Sequence, residues 1–593
     1  MIGMQMFRCL VLGLVAASYL SGSAAVLKVP VPAERLCAFT GKYPPEDFGD
    51  LIHSFAYRAC TGQDIVTSES TSCAQIRSDV LVERQVNARG ALVLHLVRMD
   101  NTSALTNLDL VVQDPLATLC VFVHSPDASC QIVETERLES GVRVRLSGFR
   151  TMATLLFAEG APYVPSSEDC TADIQARIDT CSRTGGGEVR LGRGTYTVAG
   201  LMLKDGVTLH LDEGAILQAV TNRAAYPATP GWDRGAVVMC AAGAQNIGIV
   251  GKGVIDGRGD AMPLSSQPRA GRWRGVALYR AKNVRIEGVT IRRAHTWTCY
   301  LSECDGVVIR DVTIDSHVNI NNDGLDIESS NVLVENCDID SEDDALCLKA
   351  MTHATQVTNV VVRNCRISSN SSLAKIGTET RGIFRDIRVE NCWLGVRTPI
   401  RVRDVYRVPG VTGRHVSIDG ISVIAFDGAQ VDGISFSNIT MGAGIGIPFF
   451  IRIARSERYP GTVAGGSYLR NVRISDVTMT EPSVMRIPSV VAGINLKDGE
   501  SVFRPQHIRF ANVTLRVPAD DPTVGVATKV PELAASYPAG HKFYDAERNE
   551  TPGATAFYVR HADDVTFENV RILREPGARL RPDYIKEDVD VAR

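Results

Sequence analysis

Val307-Val308-Ile309-Arg310-Asp311-Val312-Thr313-Ile314 and Val332-Leu333-Val334-Glu335-Asn336-Cys337-Asp338-Ile339 share one pattern, apolar-x-apolar-x-x-apolar-x-apolar. It recurs at Val284/Ile286/Val289/Ile291, Val360/Val362/Cys365/Ile367 and Ile387/Val389/Cys392/Leu394, so that five successive copies are separated by steps of 23, 25, 28 and 27 residues. Four more copies begin at Ile434, Val472, Ile508 and Val565. Within each half the apolar spacing is two, the strand period, and the phase slips once in the middle, as a bend between two short strands requires. A period in the twenties without a helical component predicts a solenoid of stacked β coils. Leucine-rich repeats share that period, but their Leu/Asn signature is missing. The fold expected is all-β, a parallel β-helix. Cys337, Cys365 and Cys392 occupy one position of three successive coils and read as a buried ladder of small apolar side chains rather than metal ligands or disulfides.

A solenoid can grow coil by coil without thickening its core, which suits a chain of 593 residues. Charged residues make up 22% and the net charge is −4, so nothing suggests a polyanion-binding surface. Neither nucleic acid nor membrane is an expected partner. Residues 1–25 place Arg8 before the apolar run Cys9–Leu20 and the small residues Ser21–Ala25. The run is too short to cross a bilayer and reads as a secretory signal. An exported, soluble, monomeric protein is expected. Fourteen of the fifteen cysteines follow that segment; Cys299 and Cys304 are close enough in sequence for a local loop closure.

Residues 26–160 lack the coil pattern and alternate polar with apolar residues, as in Leu92-Val93-Leu94-His95-Leu96-Val97. This predicts an amino-terminal β-sandwich-like domain, either a carbohydrate-binding module or a cap on the solenoid, ahead of a β-helix over 166–580. Ile174 and Ile178 predict a short helix that plugs the stack, with Thr171 as its N-cap. Gly185-Gly186-Gly187 reads as a tight turn, because no P-loop Lys-Ser/Thr follows it.

The chemistry-bearing residues are Asn321-Asn322-Asp323-Gly324 and, one coil later, Asp343-Asp344. Coils stack about 4.8 Å apart, so residues one repeat apart become lateral neighbours and Asp323 approaches both later acids. Three carboxylates this close cannot all ionise normally, and at least one should hold its proton towards neutrality. Two adjacent aspartates face opposite sides of a regular strand. Placing both in one site demands a bend there.

From residue 168 to about 575 the chain resembles the polygalacturonase family of pectinases, glycoside hydrolase family 28. The resemblance rests on Leu209-His210-Leu211-Asp212-Glu213-Gly214-Ala215, on Gly253-Val254-Ile255-Asp256-Gly257, and above all on Asn-x-Asp-Gly followed by Asp-Asp. It implies a right-handed parallel β-helix that hydrolyses a polysaccharide with inversion, needing no cofactor or metal, with Asp343 as general acid and Asp323 and Asp344 holding the water. Inversion needs an acid and a base about 6.5 to 9.5 Å apart. Two departures bear on the sugar. Where the family has Gly-His-Gly before Gly-Ser-Glu, this chain reads Ser372-Leu373-Ala374-Lys375-Ile376-Gly377-Thr378-Glu379. The family's uronate-gripping Arg-Ile-Lys is matched by Arg401-Val402-Arg403. Asn321, Lys375, Glu379, Arg381, Arg401 and Arg403 form the candidate sugar-binding set, and Arg pairs suit carboxylates. The substrate expected is pectic, of polygalacturonan or rhamnogalacturonan type. Alternatives are a Ca²⁺-dependent β-helix lyase, an α-galactosidase-type β-helix hydrolase, and a non-catalytic carbohydrate-binding or adhesin β-helix. A lyase needs a basic residue opposite the acids. Lys349 is near but reads as solvated.

Overall fold

A computed structural model describes residues 169–183, 185–227, 235–261, 272–401, 415–426, 428–453, 467–485, 487–495, 502–519, 525–527, 530, 550–578 and 581–590, preceded by strands lying between residues 66 and 157. The expected signal segment, the linker, Arg403, and Cys37, Cys60, Cys73, Cys120 and Cys130 lie outside the described residues. Two compact units divide the chain, one on residues 1–163 with 180–190, the other on 164–179 with 191–593.

The first unit contains two four-stranded antiparallel sheets. Alternation turns Leu94 and Leu96 of one sheet, and Val142, Val144 and Leu146 of the other, into fully or almost fully buried positions.

The second unit is a parallel β-helix, right-handed as parallel crossovers are. Its register reproduces the sequence repeat. Val284, Val307, Val332, Val360, Ile387, Ile434, Val472, Ile508 and Val565 are paired each to the next in one column. The column starts earlier than the sequence pattern shows, at Ile247, which pairs with Val284. The mid-repeat phase slip has a backbone cause. Asp311, Asn336, Asn364, Asn391, Asn438, Asp476, Asn512 and Asn569 all adopt positive φ, from 50° to 57°. Asn and Asp tolerate that left-handed conformation better than other side-chain-bearing residues. Their side chains form rungs between coils: Asn438 donates to Asn391 at 2.8 Å and Asn569 to Asn512 at 2.9 Å.

Cys337, Cys365 and Cys392 are buried free thiols, with the Cys337 N–H donating to Cys365 Sγ at 3.4 Å. Cys299 and Cys304 are free thiols too. The loop closure expected between them does not form: both are in the strand Cys299–Arg310, where an extended backbone separates them.

The helix Thr171–Arg183 buries Ile174 and Ile178, and its Gln175 side chain bonds both the N–H and the carbonyl of Met202, at 2.8 and 3.0 Å. Capping differs from the expectation. Asp169 Oδ1 accepts the Thr171 N–H at 2.8 Å, while the Thr171 hydroxyl is used by Ala199 N–H at 2.9 Å. A carboxylate two residues earlier takes the capping role because tertiary contact claims the hydroxyl.

In the last coils aromatic rings fill the core. Phe510 packs against Phe449 at 5.3 Å, Phe557 at 5.0 Å and Phe567 at 5.3 Å. Phe510→Ala removes the shared member of these pairs. It is expected to cost about 3–5 kcal/mol, read as a lowered denaturation midpoint of the solenoid.

Candidate active site

The acids occupy bends. Asn321–Asp323 lies between strands Thr313–Ser316 and Leu325–Glu335, and Asp343-Asp344 lies between Asp338–Ser341 and Leu346–Ala350. Neither is constrained to strand alternation, so Asp343 and Asp344 can serve one locality. The two bends are tied by backbone bonds, Asp343 N–H to Asn322 O at 3.2 Å and Gly324 N–H to Asp344 O at 2.8 Å.

Each residue of Asn-Asn-Asp-Gly has its own task. Asn321, at φ 56°, accepts from Arg272 at 3.2 Å and donates to Asp343 Oδ2 at 3.2 Å. Asn322 is an internal frame: its Oδ1 accepts the Val318 and Asn319 N–H groups, and its Nδ2 donates to the Ala294 and Thr296 carbonyls. A Cβ on Gly324 would stand 2.6 Å from Ala345 O, so the close approach of the coils demands glycine.

Two lysines organise the charge. Lys349 Nζ is 2.9 Å from Asp323 Oδ2, 3.0 Å from Asp326 Oδ1 and 3.6 Å from Glu379 Oε2. Lys375 Nζ is 2.8 Å from Asp344 Oδ2. All are buried. Lys349, expected to be solvated, instead sits among three carboxylates, with Trp297 beneath it at 3.9 Å. Burial pushes Asp323 well above the usual carboxylate range, opposed by Lys349 and reinforced by Asp326, Asp343 and Asp344. Burial likewise raises Asp326 to about 6 against the pull of Lys349. Burial also acts on Asp344, but Lys375 and Lys349 outweigh it and hold that carboxyl well below its ordinary value. Both lysines stay charged, because the carboxylates overcome the desolvation that would lower them.

The described sugar-binding candidates take different partners. Lys375 and Glu379 are committed to ion pairs within the acid cluster. Arg381 reaches the Met351 carbonyl at 3.4 Å and His353 Nε2 at 3.5 Å. Arg401 is exposed, and its backbone N–H donates to Glu342 at 3.2 Å. Asp326 and Trp297 escaped the sequence reading. Asp326 alternates with Leu325 and Ile327, which looks like a solvent-facing position; register would have found it, since Asp326 pairs with Cys347 and Cys347 with Lys375.

More than half of the chain, residues 181–516, matches the family model described as Glycosyl hydrolases family 28. The chain belongs to glycosyl hydrolase family 28. Within that family it is similar to the endo-polygalacturonase of Pectobacterium carotovorum subsp. carotovorum, 23% identical over 382 residues, covering 59% of this chain and 85% of the relative. The Pectobacterium parmentieri endo-polygalacturonase is likewise 23% identical over 383 residues, with the same 59% and 85% coverage. Among solved structures, the family 28 exopolygalacturonase of Yersinia enterocolitica is 16% identical, with a TM-score of 0.49, covering 86% of this chain and 98% of that one. Membership makes this a glycoside hydrolase and a polysaccharide its substrate class.

Just before both bends lies a buried bridge. His317 Nε2 is 2.9 Å from Asp340 and Nδ1 is 3.2 Å from Glu342, which precedes Asp343. Burial alone would lower this imidazole, but hydrogen bonds and charge from Asp340 and Glu342 outweigh it and raise it to about 9. The bridge therefore stabilises fully below the unfolded pKa of about 6.5 and is lost as pH rises through the folded value. His317→Gln should abolish this dependence. Wild type is expected to lose about 3 kcal/mol more than the variant between about pH 6 and pH 9.5, measured by denaturant unfolding at each pH.

Proposed function

We propose that this protein is a secreted pectic polysaccharide hydrolase, of polygalacturonan or rhamnogalacturonan type, acting by inversion. Asp343 is the general acid, and Asp323 and Asp344 hold the water. The observation that carries the reading is how these carboxylates are committed. Asp323 and Asp344 each give one oxygen to a buried lysine. Asp323 Oδ1 is buried with no hydrogen-bond partner among the described residues, which leaves an acceptor for the attacking water. Asp344, held ionised, can take the water's proton; Asp343, which accepts from Asn321 Nδ2 and from the Asp344 N–H, gives a proton to the leaving oxygen as the glycosidic bond breaks.

Lysine occupancy favours hydrolysis over Ca²⁺-assisted elimination. The Lys349 ammonium fills the space among Asp323, Asp326 and Glu379 that a bound cation would otherwise bridge. An adhesin would have no use for buried charges of such cost. Similarity to endo-polygalacturonases supports a pectic substrate, and Arg401 with Arg403 would supply the cations for a uronate.

A second assignment draws on the raised Asp323: that residue, rather than Asp343, could store the proton delivered to the leaving group. Leaving-group dependence separates the two. Asp343→Asn is expected to lose roughly 10²-fold or more on pectic oligosaccharides yet to retain most activity on a glycosyl fluoride, which needs no protonation to depart. If Asp323→Asn shows that rescue and Asp343→Asn does not, the roles exchange. Product anomers followed by NMR should show inversion, and a retained configuration would refute the two-carboxylate water mechanism.

A further inference from the structure

We propose that Lys375 is a positioning residue for the base: its ammonium holds the Asp344 carboxylate in one orientation for water activation, in a site whose corresponding sequence segment contains no histidine. The inference rests on the glycosidase reading above and reassigns Lys375 from sugar contact to the acid cluster.

Lys375 is in the strand Ser372–Thr380, between Ala374 and Ile376, both buried apolar residues. Strand alternation therefore sends its side chain to the opposite side, where it pairs in register with Cys347 on the preceding coil. Its Nζ meets Asp344 Oδ2 at 2.8 Å. The other oxygen, Oδ1, accepts from the Ser371 hydroxyl at 2.9 Å and the Ser372 N–H at 3.3 Å. These contacts on both oxygens come from the next coil, and with the Cys347 thiol on Oδ2 from the same coil they fix the carboxylate against rotation.

The groups facing Asp344 are Lys375 and Lys349 on the positive side, Asp323, Asp326 and Asp343 on the negative, and the Cys347 thiol at 3.7 Å. Asp419, on the coil beyond, faces Lys375 in turn. Lys375 is the larger favourable charge at Asp344, and burial alone would protonate that carboxyl. An ammonium engaged this way is not available to a uronate, which would have to displace Asp344 from it.

The test is Lys375→Met beside Lys375→Arg, with pH profiles of kcat and KM on pectic oligosaccharides and a thermal melt of each protein. Removing the charge raises the base's pKa, so the acidic limb of kcat/KM in Lys375→Met should move up by about one pH unit or more. KM should stay within about twofold, since uniform sugar binding is untouched. Lys375→Arg should keep the limb in place. An unmoved limb with a raised KM in folded Lys375→Met would make Lys375 a sugar ligand and overturn the proposal. If Lys375→Met does not fold, Lys375→Arg decides: an unchanged limb and KM support positioning, and a raised KM overturns it. A wild type inactive on every pectic oligosaccharide instead sinks the underlying pectinase reading, and the positioning role with it.

Discussion

Parallel register between coils is the constraint on which everything else depends. Once Val284 pairs with Val307 and so on to Val565, every residue at one phase of the repeat stacks about 4.8 Å from its counterpart. Interior branched residues, the Asn rungs and the acids are all consequences of that single translation. A left-handed Asn or Asp in the middle of the repeat sets the phase, which explains why the apolar period slips there and resumes. Gly324 shows how little tolerance the stack leaves, for even one Cβ would collide with the next coil.

Upon this frame the site gathers charge that water would otherwise solvate. Asp323, Asp326, Asp344 and Glu379 are buried around two lysines, so carboxyl groups outnumber ammonium groups even before Asp343 is considered. Breaking such pairs individually is costly, and their retention at one locality fits a catalytic role more readily than a stabilising one. The lysines also divide the acids by protonation: Asp344 is kept ionised, whereas the Asp323 and Asp326 pair is pushed up. One environment thus contains groups suited to both ends of an acid–base reaction.

Legibility in the sequence followed the range of each interaction. The nine apolar copies were visible because the coil period is written locally. Asp323, Asp343 and Asp344 were visible because they fall one repeat apart. Asp326 and Lys349 were hidden by their own alternation with Leu325, Ile327 and Leu348, which on an isolated strand predicts solvent exposure. Thr171 looked like a cap until the Ala199 N–H claimed its hydroxyl, and Cys299 and Cys304 looked like a closure until one strand ran through both.

By itself, then, the sequence determined the solenoid, its period, and which acids share a neighbourhood, since strand alternation and a fixed coil spacing suffice to place them. Only the tertiary structure decided which charges answer which. Lys349 and Lys375 reach their partners across coils, through side chains whose direction and burial depend on every strand stacked around them, and no local pattern encodes that.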